Sequence, residues 1–127
     1  MLPRSRSSLC ACATAFLIGT AVLFGAAYVY AHAIVLKTSL AEHPIKKGTA
    51  SSITLHFNSR IEVKLSRATL ISRDEPERAL AMAGGAAPGD VLVALPALEP
   101  GPYALHYRVL AADGHVTEDT IRFSVAP

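Results

Sequence analysis

Two histidines of this chain stand where they can bind a metal ion. His115 follows Asp113-Gly114, a pair typical of a tight hairpin turn. The i, i+2 spacing directs the aspartate carboxylate and the imidazole to the same side of such a turn. His32 follows an apolar N-terminal segment, so cleavage after Ala31 would make it the first residue of the chain. A terminal histidine offers both its α-amine and its imidazole Nδ1 to one ion.

The donor atoms of these three residues indicate which metal they would hold. Imidazole and amine nitrogens in a T-shaped or tetragonal array favour Cu(II), which heads the affinity order of the divalent ions. Zn(II) accepts the same atoms but prefers a tetrahedron, and Ni(II) also remains open. The alternative is an ordinary hairpin turn with an incidental histidine. Because the amine and imidazoles must lose protons to bind, copper affinity is expected to fall as the pH drops.

The remaining histidines carry weaker signals. His56 and His106 occupy the polar phase of their predicted strands, which indicates solvated surface side chains. His43 precedes Pro44 in a predicted loop. None of the three is therefore assigned to the metal site.

The first 31 residues have the composition of an export signal. Arg4 and Arg6 precede 25 residues without any charge, residues 7 to 31. Val29 and Ala31 are small residues suited to a cut after Ala31, although a cut after Ala33 is a rival. An uncleaved membrane anchor is the other alternative, since the uncharged stretch is long enough to span a bilayer. The prediction is a signal peptide over 1–31 and one domain over 32–127.

Composition and charge exclude several classes of protein. The 127 residues are 51% hydrophobic and 17% charged, which is typical of a globular chain and leaves room for one domain. Lysine and arginine balance aspartate and glutamate after residue 32, so nucleic acid is not an expected partner. Both cysteines, Cys10 and Cys12, precede the domain. Disulfides, thiolate zinc sites and cysteine nucleophiles are thereby excluded from it.

Apolar and polar residues alternate with a period of two through most of the domain, as in strands that have one buried face. Proline and glycine separate the alternating runs. The pattern predicts an all-β fold, either a small antiparallel sandwich or a Greek-key barrel, of immunoglobulin-like or cupredoxin-like topology. The predicted strands are Ala33 to Thr38, Ile53 to Phe57, Ile61 to Ile71, Val91 to Leu95, Tyr103 to Val109 and Ile121 to Val125. Within Ile61 to Ile71 the apolar phase slips, which indicates a bulge or a turn near Ser66-Arg67.

From His32 to Pro127 the sequence resembles the CopC family of bacterial periplasmic copper-resistance proteins. The resemblance is carried by the order and spacing of several segments together. These are His32-Ala33, Ser51-Ser52-Ile53-Thr54-Leu55-His56-Phe57, Leu98-Glu99-Pro100-Gly101-Pro102-Tyr103, Tyr107-Arg108-Val109, Asp113-Gly114-His115 and Phe123-Ser124-Val125.

The resemblance implies a non-enzymatic periplasmic protein that sequesters or delivers copper. One Cu(II) per chain would be bound by His32, Asp113 and His115. An inner-membrane copper permease of the CopD type is the implied partner. Some family members also bind Cu(I) in a methionine-rich loop, but the corresponding segment here, residues 71 to 82, has one methionine and no histidine. A Cu(I) site is therefore not expected.

Two residues depart from the family pattern near the expected ligands. Tyr107 stands where the family often has tryptophan, and Ser59 where some members carry a glutamate close to the terminal histidine. Loss of such a carboxylate would loosen the site.

Two other functions fit the same residues. A copper oxygenase can use a terminal histidine chelate with a second histidine, but a domain this small leaves little room for a substrate platform. A secreted β-sandwich interaction module would use the Asp-Gly-His turn only structurally and would not respond to metal.

Overall fold

Eight strands account for most of the regular structure in residues 33–127, which are the residues that the computed structural model describes. They are β1 (Val35–Thr38), β2 (Ser51–Phe57), β3 (Arg67–Ser72), β4 (Arg78–Leu80), β5 (Met82–Gly84), β6 (Asp90–Leu95), β7 (Gly101–Leu110) and β8 (Val116–Val125). The only helical pieces in this range are single 3-10 turns at Ser39–Ala41 and Val63–Leu65. The predicted all-β fold is confirmed. Between residues 33 and 127 no helix has the length and hydropathy to cross a membrane.

The strands form two four-stranded antiparallel sheets. One has the order β1-β2-β6-β5 and the other β4-β3-β7-β8. The chain passes from one sheet to the other after β2, β4 and β6, so the central pairs β2-β6 and β3-β7 join segments distant in sequence. The sequence left a sandwich and a barrel open, and two separate sheets make this fold a sandwich.

The core lies between the sheets and is built by the alternation that the sequence predicted. In β2, Ile53, Leu55 and Phe57 are buried while the residues between them are half-buried. Phe57 meets Tyr107 of the opposite sheet edge-on, with ring centroids 5.6 Å apart and planes at 81°. Every buried residue within 33–127 is apolar or Tyr107. Hydrophobic burial therefore holds the two sheets together.

The predicted continuous strand from Ile61 to Ile71 is wrong in its first half. Ile61 forms only a single bridge with Ala111, and the chain then makes the 3-10 turn Val63–Leu65 before β3 begins. Ser66 stabilises this turn, since its hydroxyl donates to the Glu62 carbonyl and accepts the Leu110 N–H. The slip in apolar phase had indicated a turn close to this position.

Strands β4 and β5 were not predicted from the sequence. Each has three residues and lies at the outer edge of a sheet, where, among the described residues, β4 pairs only with β3 and β5 only with β6. Segments this short do not display a period of two.

Candidate metal centre

The hairpin turn between β7 and β8 holds Asp113 against His115. The Ala111 N–H donates to the His115 carbonyl and the Gly114 N–H to the Ala111 carbonyl, both at 2.9 Å. Gly114 has φ +91°, which favours glycine at this position. Asp113 Oδ1 accepts the His115 N–H at 3.0 Å, and Asp113 Oδ2 lies 3.1 Å from His115 Nδ1. The carboxylate and the imidazole therefore lie side by side, as the i, i+2 spacing predicted.

The contacts within this turn favour an ionised carboxylate. The His115 backbone N–H, followed by the His115 side chain, lowers the pKa of Asp113 below its usual value. Both side chains remain about one third exposed, at 39% for Asp113 and 35% for His115. The two side chains are therefore partly open to solvent at one place on the surface, while His115 Nδ1 itself is buried.

Asn58 binds the beginning of the described chain. Its side-chain Oδ1 accepts the Ile34 N–H at 2.8 Å, and its backbone N–H donates to the Ile34 carbonyl at 3.1 Å. Ala33 is fully buried in the core. Asn58 is not among the residues predicted from the sequence, although an asparagine directly after a strand commonly hydrogen-bonds nearby backbone.

The segment from Asn58 to Ile61 links this chain start to the hairpin turn. Two residues after Asn58, the Arg60 carbonyl accepts the Ala112 N–H at 2.9 Å. Two residues span at most about 7 Å of chain, so Ile34 and the Asp113 turn lie at the same end of the sandwich. His32 falls outside the described residues, and its role as a ligand stays a prediction.

Gly89 lets the loop before β6 pack against this same segment. A Cβ at Gly89 would lie 2.4 Å from the Phe57 carbonyl oxygen and 3.1 Å from that of Ser59. The Phe57 N–H also donates to the Gly89 carbonyl at 2.8 Å. Only glycine permits backbone segments to approach this closely.

The structure brings together two of the three predicted ligands. Asp113 and His115 are in contact, but across residues 33–127 no three histidine, cysteine, aspartate or glutamate side chains cluster so as to hold a metal ion. The third predicted ligand, His32, is not among these residues.

His56 is paired on the outer face of its sheet rather than simply solvated. Its Nδ1 lies 2.7 Å from Asp90 Oδ1, across the β2-β6 pair. This hydrogen bond lowers the pKa of Asp90, and the Ala87 N–H adds to the effect. His56 and Asp90 belong to the sheet that does not carry the Asp113 turn.

Replacing Asp90 by asparagine is expected to make stability less sensitive to acid. A carboxyl with a lowered folded pKa stabilises the fold above its unfolded pKa of about 3.9, and this contribution is lost as the pH falls through the lowered value. Urea unfolding between about pH 5 and about pH 2 measures the effect. The variant His56→Ala removes the imidazole bond but leaves the bond from the Ala87 N–H, so it should flatten the profile in part. An Asp90→Asn profile as steep as the parent's would contradict the assignment.

His106 is also paired rather than simply solvated. Its Nε2 lies 2.8 Å from Glu118 Oε1 and its Nδ1 3.1 Å from Thr120 Oγ1, on the outer face of the β7-β8 pair. Both ring nitrogens thus contact β8. His43 is exposed and follows the first 3-10 turn, where its N–H donates to the Ser39 carbonyl.

Tyr107 and Ser59, which depart from the family pattern, and Met82, from the segment that corresponds to the methionine-rich loop, lie in different surroundings. Tyr107 is buried, and desolvation, followed by the charge of Asp119, raises its pKa to about 12. Ser59 is half-buried between Asn58 and Arg60. Met82, the only methionine after Met1, packs against the core.

Comparison with known proteins identifies the family. The model of the CopC domain matches residues 35–126. The chain belongs to the CopC family. The crystal structure of CopC from Methylosinus trichosporium OB3b is similar, with a TM-score of 0.62 and 24% identity over 76% of this chain and 95% of that one. PcoC, a methionine-rich copper resistance protein from Escherichia coli, matches with a TM-score of 0.53 and 24% identity over 75% of this chain and 99% of that one.

At 24% identity, the two solved structures show that this chain shares their fold. A selenomethionine form of PcoC gives a similar match, with a TM-score of 0.53 and 22% identity over 72% of this chain and 98% of that one. The comparison with curated protein sequences gives no match.

Proposed function

We propose that this protein binds one Cu(II) ion per chain and sequesters or delivers it in the periplasm. The ligands are Asp113, His115 and, after cleavage behind Ala31, the amine and imidazole of His32. The observation that carries the proposal is the hairpin turn, in which one carboxylate contacts both the backbone and the imidazole of His115. The hydrogen bonds of Asn58 to Ile34 support it, because they attach the chain start at the same end of the sandwich.

The chemistry of the donors supports Cu(II) over Cu(I). Nitrogen and carboxylate oxygen suit Cu(II), whereas Cu(I) prefers several thioethers or thiolates. After residue 32 the chain has no cysteine and one methionine, and Met82 packs against the core. PcoC, which is described as methionine rich, differs from this chain in that respect.

The copper-resistance role and the periplasmic location are proposed from family membership together with the export-like composition of residues 1–31. We further propose that the protein acts as a carrier rather than an enzyme. The recipient or donor of its copper is an inner-membrane permease of the CopD type.

A comparison of two N-termini tests the ligand set. Protein beginning at His32 and the same protein with one additional N-terminal residue compete for Cu(II) with a chelator of known affinity. The added residue converts the α-amine to an amide, so the affinity is expected to fall about tenfold or more. Equal affinities would exclude the amine as a ligand.

The pH dependence provides a second measurement on the same proteins. Protonation of the amine and imidazoles competes with copper, so affinity is expected to decrease from neutral to mildly acidic pH. The decrease should be steeper for the chain that begins at His32, because its α-amine is a further ligand that must lose a proton to bind copper. An affinity independent of pH would contradict nitrogen ligands.

A further inference from the structure

Strand β8 presents a long unpaired edge. Its ten residues pair with β7 without a register shift and with no other strand in the described part of the chain. The other three edge strands have only three or four residues each. No proline or bulge interrupts β8. Such an edge is a template for pairing with another strand.

The hydrogen bonds of the hairpin show which residues of β8 face this edge. The Ala111 N–H donates to the His115 carbonyl, so this opposed pair is a hydrogen-bonded one. Hydrogen-bonded pairs alternate with non-hydrogen-bonded pairs along an antiparallel ladder. Odd-numbered residues of β8 therefore bond to β7, while even-numbered residues direct their N–H and C=O groups to the free edge.

An independent contact agrees with this assignment. The Thr120 N–H donates to Asp119 Oδ1 at 2.7 Å, which places that N–H on the side away from β7. The edge-facing residues are Val116, Glu118, Thr120, Arg122 and Ser124.

The charges along this edge are self-complementary. In an antiparallel pair of two β8 strands with Thr120 opposite Thr120, Glu118 of each strand lies opposite Arg122 of the other. Glu118 is already held on the outer face, with Oε1 2.8 Å from His106 and Oε2 4.0 Å from Arg108. Arg122 is exposed and has no carboxylate partner among residues 33–127. Opposite charges facing each other across strands stabilise the pair.

The neighbouring registers lack this match. A shift that centres the pair on residue 119 places Asp119 opposite Asp119, and like charges in that position are destabilising. A shift to residue 121 leaves Glu118 opposite Ser124. All three registers present edge-facing groups to edge-facing groups, but only the register centred on Thr120 pairs both charges, and it allows about ten hydrogen bonds.

We propose that β8 pairs with β8 of a second copy of this chain, antiparallel, about a two-fold axis at Thr120. The dimer joins two four-stranded sheets into one of eight strands. His115 lies five residues from the axis, so the two Asp113 turns stand roughly 34 Å apart and both stay open. The dimer is independent of the proposed copper function, and its tests use no metal.

A cysteine at the axis tests the register directly. Cells producing the full chain with Cys10 and Cys12 replaced by serine carry either Thr120→Cys or Val116→Cys as the only cysteine. At 120 the two Cα atoms lie about 5.5 Å apart, within disulfide range, whereas at 116 they lie roughly 27 Å apart. A disulfide-linked dimer is expected only for Thr120→Cys. No dimer at 120, or equal dimer at both positions, would overturn the proposal.

Charge reversal tests the pairing of Glu118 with Arg122. Arg122→Glu sets two glutamates opposite each other and is expected to give a monomer, as is Glu118→Arg. The double variant restores complementary charges and should restore the dimer. Sedimentation over about a hundredfold range of concentration measures each protein, and circular dichroism verifies the fold. A parent that remains monomeric, or a folded double variant that does not dimerise, would exclude the pairing.

Asp119 offers a third test, because it competes with the partner strand for the Thr120 N–H. Asp119→Ala frees this group, so dimerisation is expected to tighten severalfold. Weaker dimerisation in the folded variant would contradict the assignment of that N–H to the free edge.

Discussion

Replacing His115 by alanine is expected to weaken Cu(II) binding by about a hundredfold or more. Loss of a group that only orients a metal ligand costs about ten- to a hundredfold in affinity, and His115 is proposed to supply a ligand nitrogen itself. Asp113 would keep its hydrogen bond to the backbone N–H of residue 115, since that bond does not involve the imidazole. The turn should therefore remain folded while the site loses its second imidazole. Competition with a chelator measures the affinity.

His106→Ala is the matched control for this substitution. The His106 side chain has nearly the same exposure as that of His115, at 33% against 35%, and its imidazole also lies against a carboxylate, at 2.8 Å from Glu118. It stands on the outer face of the β7-β8 sheet instead of in the turn. Copper affinity is expected to be unchanged in this variant. Equal weakening by both substitutions would indicate adventitious binding to surface histidines, and an unaffected His115→Ala would exclude the turn as the site.

Replacing Gly89 by alanine is expected to lower the free energy of unfolding by about 2–3 kcal/mol. The added Cβ would lie 2.4 Å from the carbonyl oxygen of Phe57, so backbone must move. Movement is resisted because the Phe57 N–H donates to the Gly89 carbonyl. The strain falls on the end of β2 at Phe57, directly before Asn58. Urea unfolding at neutral pH measures the change as a lower midpoint with an unchanged slope.

Gly84→Ala provides the control within the same sheet. A Cβ at Gly84 meets no atom within 4 Å, and the backbone there does not have a positive φ. The Gly84→Ala substitution is expected to change the free energy of unfolding by no more than about 0.5 kcal/mol. A Gly89→Ala protein as stable as the Gly84→Ala protein would show that the loop before β6 moves away from the Phe57 carbonyl without loss of stability.

The strands with a clear alternation were predicted correctly because burial on one face imposes a period of two on the sequence. The predicted strand Ile53 to Phe57 lies within β2, and Tyr103 to Val109 lies within β7. The prediction failed at Ile61, where a single bridge to Ala111 and the bond from the Leu110 N–H to the Ser66 hydroxyl replace the ladder. Those contacts involve Leu110 and Ala111, which are distant in sequence and leave no local pattern.

The sequence by itself determined the all-β class and the pairing of Asp113 with His115. Both depend on short-range geometry, since alternation and i, i+2 spacing are properties of neighbouring residues. Only the tertiary structure decided that Asn58 binds Ile34, that His56 meets Asp90 and that β8 has one partner strand within residues 33–127. These contacts follow from the order and register of the strands. Sheet order joins segments through backbone hydrogen bonds that are nearly the same for every residue, so the side chains of one strand do not specify its partner.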